Sequence, residues 1–309
     1  RLMDAFREDI QRARAGNMLA LLPDPREAVT TLEHMQFCLV PAGPFWMGSP
    51  DSDKEAYPDE RPQHLNEELD YDYWLSHFPI TVAQYQLFVN ATSHQPTEPR
   101  CLNDPANRPV RFVTWHEAIK FCDWLTQHWR QQGLLPKQWR VQLPSEAEWE
   151  KAARGGLKVP QPAVVRPVRE LLATPQLLLI DNEKMKRRFL WGENADANRA
   201  NYNDTKIGDT SEVGCFPGGR SPYGCEEMAG NVWEWTRSLW GKDSSKPEFE
   251  YPYDPADGRE NIDAPDDIRL VVRGGSFYHY LRRVRCSRRL RLDPHDRLDH
   301  IGFRVVLSP

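Results

Sequence analysis

The chain has 309 residues, with 40 Lys and Arg against 45 Asp and Glu for a net charge of −5, which excludes a protein built mainly to coat nucleic acid or an anionic membrane. Apolar residues make up 39% and aromatics 11%, so disorder is excluded for most of the length, because that much surface can offset the entropy of ordering. No apolar run approaches the roughly 20 residues that span a bilayer, and six scattered Cys with no pair at zinc-knuckle spacing read as reduced, buried thiols rather than a disulfide scaffold.

Phe6, Ile10 and Ala13 recur at helical spacing among charges and predict a short amphipathic helix over 1–20, which "LLPDPREAV" (21–29) interrupts. The opening Arg-Leu-Met-Asp-Ala-Phe carries no apolar signal region and no initiator Met. Residues 1–35 are therefore expected to be a helical linker from a longer protein, with the cytoplasm as the default compartment. From Phe37, "FCLVPAGPFWMGSP" predicts two short strands around Pro41-Ala42-Gly43-Pro44. Three helices follow. Thr81 precedes Val82, Tyr85 and Phe88 on one face. Thr114 with Glu117, and Ser145 with Glu148, have capping-box spacing, and Gly155-Gly156 stops the third helix.

Residues 157–188 change texture: Pro160, Pro162 and Pro167, then "ELLATPQLLLI" and a basic "KMKRR", read as a surface insertion with one short helix. Beyond 190 helical periodicity ends, and Leu270–Arg273 and Phe303–Leu307 predict strands. Trp233 and Trp235 alternate with Val232 and Glu234, so a strand would put both indoles on one side, each needing an N–H partner. Gly274-Gly275 marks a bulge or a close backbone approach. Helices early and strands late, with 26 Pro and 18 Gly between them, predict a loop-rich α+β fold.

Taken in order, "GPFWMGSP" (43–50), "DERP" (59–62), "PVRFVTWHEAIKFCDWL" (109–125), "RVQLPSEAEWEKAARGG" (140–156), "YGCEEMAGNVWEWT" (223–236), "VVRGGSF" (271–277) and "IGFRVV" (301–306) resemble the formylglycine-generating-enzyme (sulfatase-modifying factor) domain family over residues 36–309. The resemblance implies a C-type lectin fold: two main helices on a small twisted antiparallel sheet with many irregular loops. It also implies a copper-dependent oxidase, whose two active-site thiolates stand five positions apart. Here Cys286 matches the second and Leu281 stands at the first, so the oxidase is the alternative reading and no catalytic residue is assigned.

The segment between "RGGS" and "IGFR" further resembles the variable proteins of diversity-generating retroelements, which use this fold. Arg273, Gly274, Gly275, Ser276, Arg285, Arg289 and Ile301 to Arg304 match their framework; Tyr278, His279, Tyr280, Arg283, Ser287, Arg288, Leu290, Leu292, Asp293, His295, Leu298, Asp299 and His300 fall at variable positions. In those proteins Asn codons are mutated at adenines, which cannot yield Lys, Glu, Gln, Met or Trp. These types supply about one residue in five of the chain and none of residues 277–300, a blank expected about 0.5% of the time if 24 positions are free and about 7% for a dozen. Tyr and His suit contact surfaces. The expectation is a non-enzymatic binding protein, monomeric, with a macromolecular ligand, most readily a protein, and neither nucleic acid nor a membrane as partner. The dense Arg of 273–304 are read as structural ties. His279, His295 and His300 lack metal-ligand spacing and are read as surface residues. No cofactor is required; the resemblance implies a structural Ca²⁺ site at Glu227, Gly230, Val232 and Glu234, with Glu227 replacing the usual Asp or Asn.

Overall fold

The computed structural model describes residues 24–171 and 176–309, with the isolated positions 11, 15 and 18. The helix expected over 1–20, with Phe6, Ile10 and Ala13, falls largely outside them. Strands β1 (Gln36–Val40) and β2 (Phe45–Met47) form on either side of the Pro-Ala-Gly-Pro turn, as predicted, and β2 pairs with β3 (His64–Asn66). Three helices follow the expected starts: α1 (Val82–Thr92), α2 (Trp115–Gln131) and α3 (Glu146–Arg154). Each opens on a closed capping box. In α3 the Glu148 N–H donates to Ser145 Oγ at 3.0 Å and the Ser145 N–H donates to Glu148 Oε2 at 2.6 Å.

A five-stranded antiparallel sheet runs β5 (Arg140–Gln142), β13 (Val306–Ser308), β4 (Tyr73–Ser76), β1 and β7 (Val165–Pro167). It is covered on both faces. Phe37, Leu39 and Trp74 join the core under α1 and α2, whereas Cys38, Val40, Tyr73 and Leu75 join a second core around α3. Burial on both sides is why β1 and β4 read as nearly continuous apolar runs instead of alternating ones. A four-stranded sheet runs β11 (Arg289–Leu292), β10 (Arg269–Arg273), β9 (Trp233–Gly241) and β12 (Ile301–Phe303), with β12 parallel to β9. The mixed architecture is the expected α+β class, with two main sheets, two further two-stranded ones and one parallel pair where one antiparallel sheet was predicted.

Two further expectations are corrected. The single strand over 303–307 is two strands in different sheets, broken after Phe303, where the buried Arg304 guanidinium donates to Glu234 and to the Ser76 and Glu226 carbonyls. The 157–188 stretch is not a surface appendage. Its β7 pairs with β1 in the main sheet, Val168 is fully buried, and β6 (Lys158–Pro160) pairs with β8 (Leu179–Asp181). Val29, Leu32 and Met35, within the stretch read as linker, are buried as well. Among the described residues no helix is long and apolar enough to cross a membrane.

Candidate functional site

The segment 273–304 is held by buried ion pairs to distant acids. Arg273 on β10 and its cross-strand partner Arg289 on β11 both reach Glu146 in the first turn of α3. Arg273 Nη1 donates to Glu146 Oε1 at 3.0 Å and Arg289 Nη2 donates to Oε2 at 2.9 Å, while Arg273 also bonds Glu150. All four side chains are fully buried. Buried charges persist only when paired, and a planar guanidinium can serve two carboxylates at once. The glutamates of "PSEAEWEKAARGG" are thus the counter-ions of the "VVRGGSF" strand. Gly274 and Gly275, at φ +98° and +79°, let this strand turn; a Cβ on Gly275 would lie 2.6 Å from Val284 and 2.7 Å from the Arg283 carbonyl.

Further on, Arg285 donates to Glu60 at 2.6 and 2.8 Å from its two terminal nitrogens. Burial pushes the Glu60 carboxyl up, but Arg285 outweighs it and holds the group below its ordinary value. Ser287 Oγ donates to the same carboxylate at 3.3 Å, and Arg288 reaches Asp59 and Glu60 at 3.4 Å. Ser287 and Arg288, expected at the surface, are each 3% exposed and belong to this network.

His279 and His300 are also buried, contrary to expectation. His279 Nδ1 accepts the indole N–H of Trp233 at 3.1 Å, the partner predicted to be needed for that ring, and lies 2.6 Å from Ser276 Oγ. Burial pushes its pKa down to about 3, with Arg283, His300 and Arg288 adding to the effect, so the ring stays a neutral acceptor. Trp235 Nε1 donates to the Val113 carbonyl at 3.0 Å. His300 sits between Asp299, 2.7 Å from its Nδ1, and the Tyr278 hydroxyl, 3.1 Å from its Nε2.

The other nine positions meet solvent. Tyr278, Tyr280 and Leu298 are 42%, 65% and 38% exposed; His295 and Asp299 are exposed, and Arg283, Leu290, Leu292 and Asp293 are half-buried. Arg283, Arg288, Leu290 and Arg291 form one wall of a cleft of about 510 Å³, opposite Tyr57, Asp59, Trp240, Lys246 and Tyr251. Arg288 lies 3.8 Å over the Tyr57 ring and Arg291 5.6 Å over Trp240, an aromatic and cationic lining. Sequence reasoning missed Tyr57, Trp240 and Lys246. Tyr57 and Lys246 come from irregular loops and Trp240 from the end of β9, so their link to the segment is spatial.

The residues implied for calcium do not fit the ion. Glu234 Oε2 accepts from Arg304 Nε and from Trp149 Nε1, both at 2.6 Å, and Oε1 accepts from Arg304 Nη2 at 2.8 Å. A guanidinium therefore stands where the cation would. Burial, with Glu226 beside it, pushes Glu227 up to about 8, and its oxygens accept from Asn231 Nδ2 at 3.1 Å and the Gly214 N–H at 3.2 Å. Gly230 and Val232 are buried beside this arrangement. A largely neutral carboxyl and one bound to arginine offer little to a hard dication. At the implied copper position, Leu281 opens a short turn (Leu281–Arg283), and Cys286 is buried with its thiol pushed up to about 11 by that burial.

Comparison with known proteins places this geometry. Formylglycine-generating enzyme from Mus musculus is 26% identical over 217 residues, covering 65% of this chain and 44% of that protein. The chain spans less than half the length of the curated relatives it matches first. PvdO from Pseudomonas aeruginosa superposes with a TM-score of 0.62 at 23% identity, covering 88% of this chain and 94% of that one. Treponema denticola variable protein 1 superposes with a TM-score of 0.58 at 20% identity, covering 88% and 95%. Both structural likenesses establish the fold. Residues 23–309 match the family described as "Sulfatase-modifying factor enzyme 1-like domain", and the chain belongs to that family.

Proposed function

We propose that this chain is a binding module, not an oxidase, and that a diversity-generating retroelement varies its contact surface. The observation that carries this reading is the separation of duties within 277–300: buried arginines and His279 hold the backbone, while neighbouring side chains face water. The contact set is Tyr278, Tyr280, Arg283, Leu290, Leu292, Asp293, His295, Leu298 and Asp299, beside the cleft of Tyr57 and Trp240. Such a patch of rings, alkyl groups and Arg on a rigid frame suits a macromolecular ligand, most readily a protein bound by a monomer. The coding blank for Lys, Glu, Gln, Met and Trp over 277–300, and a fold shared with a protein named as variable, support the diversification. Copper chemistry is disfavoured because Leu281 offers no ligand and Cys286 holds its proton well above neutral pH.

The test is the coding locus together with the protein. Sequencing should find a reverse transcriptase and a near-copy of the 3′ coding segment differing only at adenines. Variants randomised at the nine positions should fold as the parent does and yield selected binders. A segment identical among sibling isolates, or turnover of a Cys-containing sulfatase peptide with Cu(I) and O₂, would overturn the reading.

A further inference from the structure

Three side chains from separate parts of the chain converge at one edge of the variable segment. His116 is the second residue of α2, Asp266 lies in the turn before β10, and His295 follows β11. His116 Nε2 is 3.4 Å from Asp266 Oδ1, and His295 Nε2 is 3.5 Å from Asp266 Oδ2. One ligand atom from each lies within 4.8 Å of the others, and among the described residues this is the one such group of His, Cys, Asp or Glu. His116 Nε2 is itself buried with no hydrogen-bond partner, a polar atom aimed at the cluster and left unsatisfied.

We propose that His116, Asp266 and His295 bind a borderline divalent metal of the zinc class, leaving its fourth position open to solvent. Nitrogen and oxygen ligands at 2.0–2.1 Å from a tetrahedral ion stand about 3.3–3.4 Å apart. Each histidine stands near that separation from its own oxygen of Asp266, His116 from Oδ1 and His295 from Oδ2, so closing on one ion takes only a rotation of the exposed Asp266 or His295 side chain. Two imidazoles and one carboxylate suit zinc, copper or nickel and not the hard cations calcium and magnesium. The backbone holds the ligands in place. The Trp115 N–H donates to the Pro294 carbonyl at 3.1 Å, tying the residues beside His116 and His295, and the Ile268 N–H donates to the Pro265 carbonyl at 3.0 Å, closing the turn that carries Asp266. The His295 N–H donates to Asp293 Oδ1 at 3.1 Å. Preorganisation of this kind is what separates a metal site from a chance meeting of side chains. The site does not depend on diversification of the segment, since it stands on contacts made by the residues present.

Chelator-treated protein titrated with Co²⁺ should bind one equivalent and develop visible absorption bands of a low-coordinate site, which Zn²⁺ then abolishes by displacement. His295→Ala and Asp266→Asn, both at exposed positions, should each weaken Zn²⁺ binding by calorimetry at least about tenfold. His34→Ala, at an unrelated histidine, should leave it unchanged, with circular dichroism confirming the fold of every variant. Absence of Co²⁺ bands, or Zn²⁺ binding that survives both substitutions, would overturn the proposal.

Discussion

Residues 284–289 and 290–299 adjoin in the chain yet live in different solvents. Every side chain from Val284 to Arg289 is buried, whereas of the next ten only Pro294 is. The first stretch contains three arginines, Arg285, Arg288 and Arg289, each facing an acid from elsewhere in the fold. The second contains Arg291 and Arg297, which line a cleft or meet water. Composition alone does not separate them. Position relative to Glu60 and Glu146 does, because a guanidinium is buried only where a carboxylate is waiting for it.

The contrast can be broken most forcefully at its acids. Glu146→Ala leaves Arg289 without its carboxylate and Arg273 with one fewer, and unfolding in urea should show a loss of about 3–5 kcal/mol; Glu60→Ala, which leaves Arg285 the longer contact to Asp53 at 3.5 Å, should fall toward the lower end of that range. A result under about 1 kcal/mol for both would remove the distinction between frame and rim.

Glu227 sharpens the comparison through pH. Its carboxyl is raised in the folded state to about 8, so its contribution to stability is fully present below the ordinary carboxyl value and is lost as pH rises through about 8. Glu227→Gln should therefore match the wild type near pH 4, become increasingly more stable than it up to about pH 8, and keep that margin above it in thermal melts. His279→Ala should cost about 1–3 kcal/mol, because the buried Trp233 N–H loses its acceptor. Its neighbour in the chain, Tyr280→Ala, and likewise Leu298→Ala, should change stability by no more than about 0.5 kcal/mol. Equal effects at 279 and 280 would erase the alternation on which the contact surface rests.

Much of the scaffold was legible in the sequence. The pairs Thr114–Glu117 and Ser145–Glu148 announced their helices because a capping box is a local hydrogen-bond pattern, complete within four residues. The demand of Trp233 for an N–H partner was legible as well, but not that His279 would meet it. Ser287, Arg288 and His300 were misjudged as exposed because polar side chains look alike in sequence whether they face water or a buried partner. His295 looked isolated because its neighbours His116 and Asp266 stand 179 and 29 positions away.

Local patterning thus determined the helix starts, the turn glycines and the α+β class, since each depends on residues a few positions apart. Only the tertiary structure decided which arginines are struts and which are surface, where the strand over 301–308 breaks, and which loops wall the cleft. Those outcomes are settled by charge pairing and burial between residues far apart in the chain, and such distances exist only once the backbone has folded.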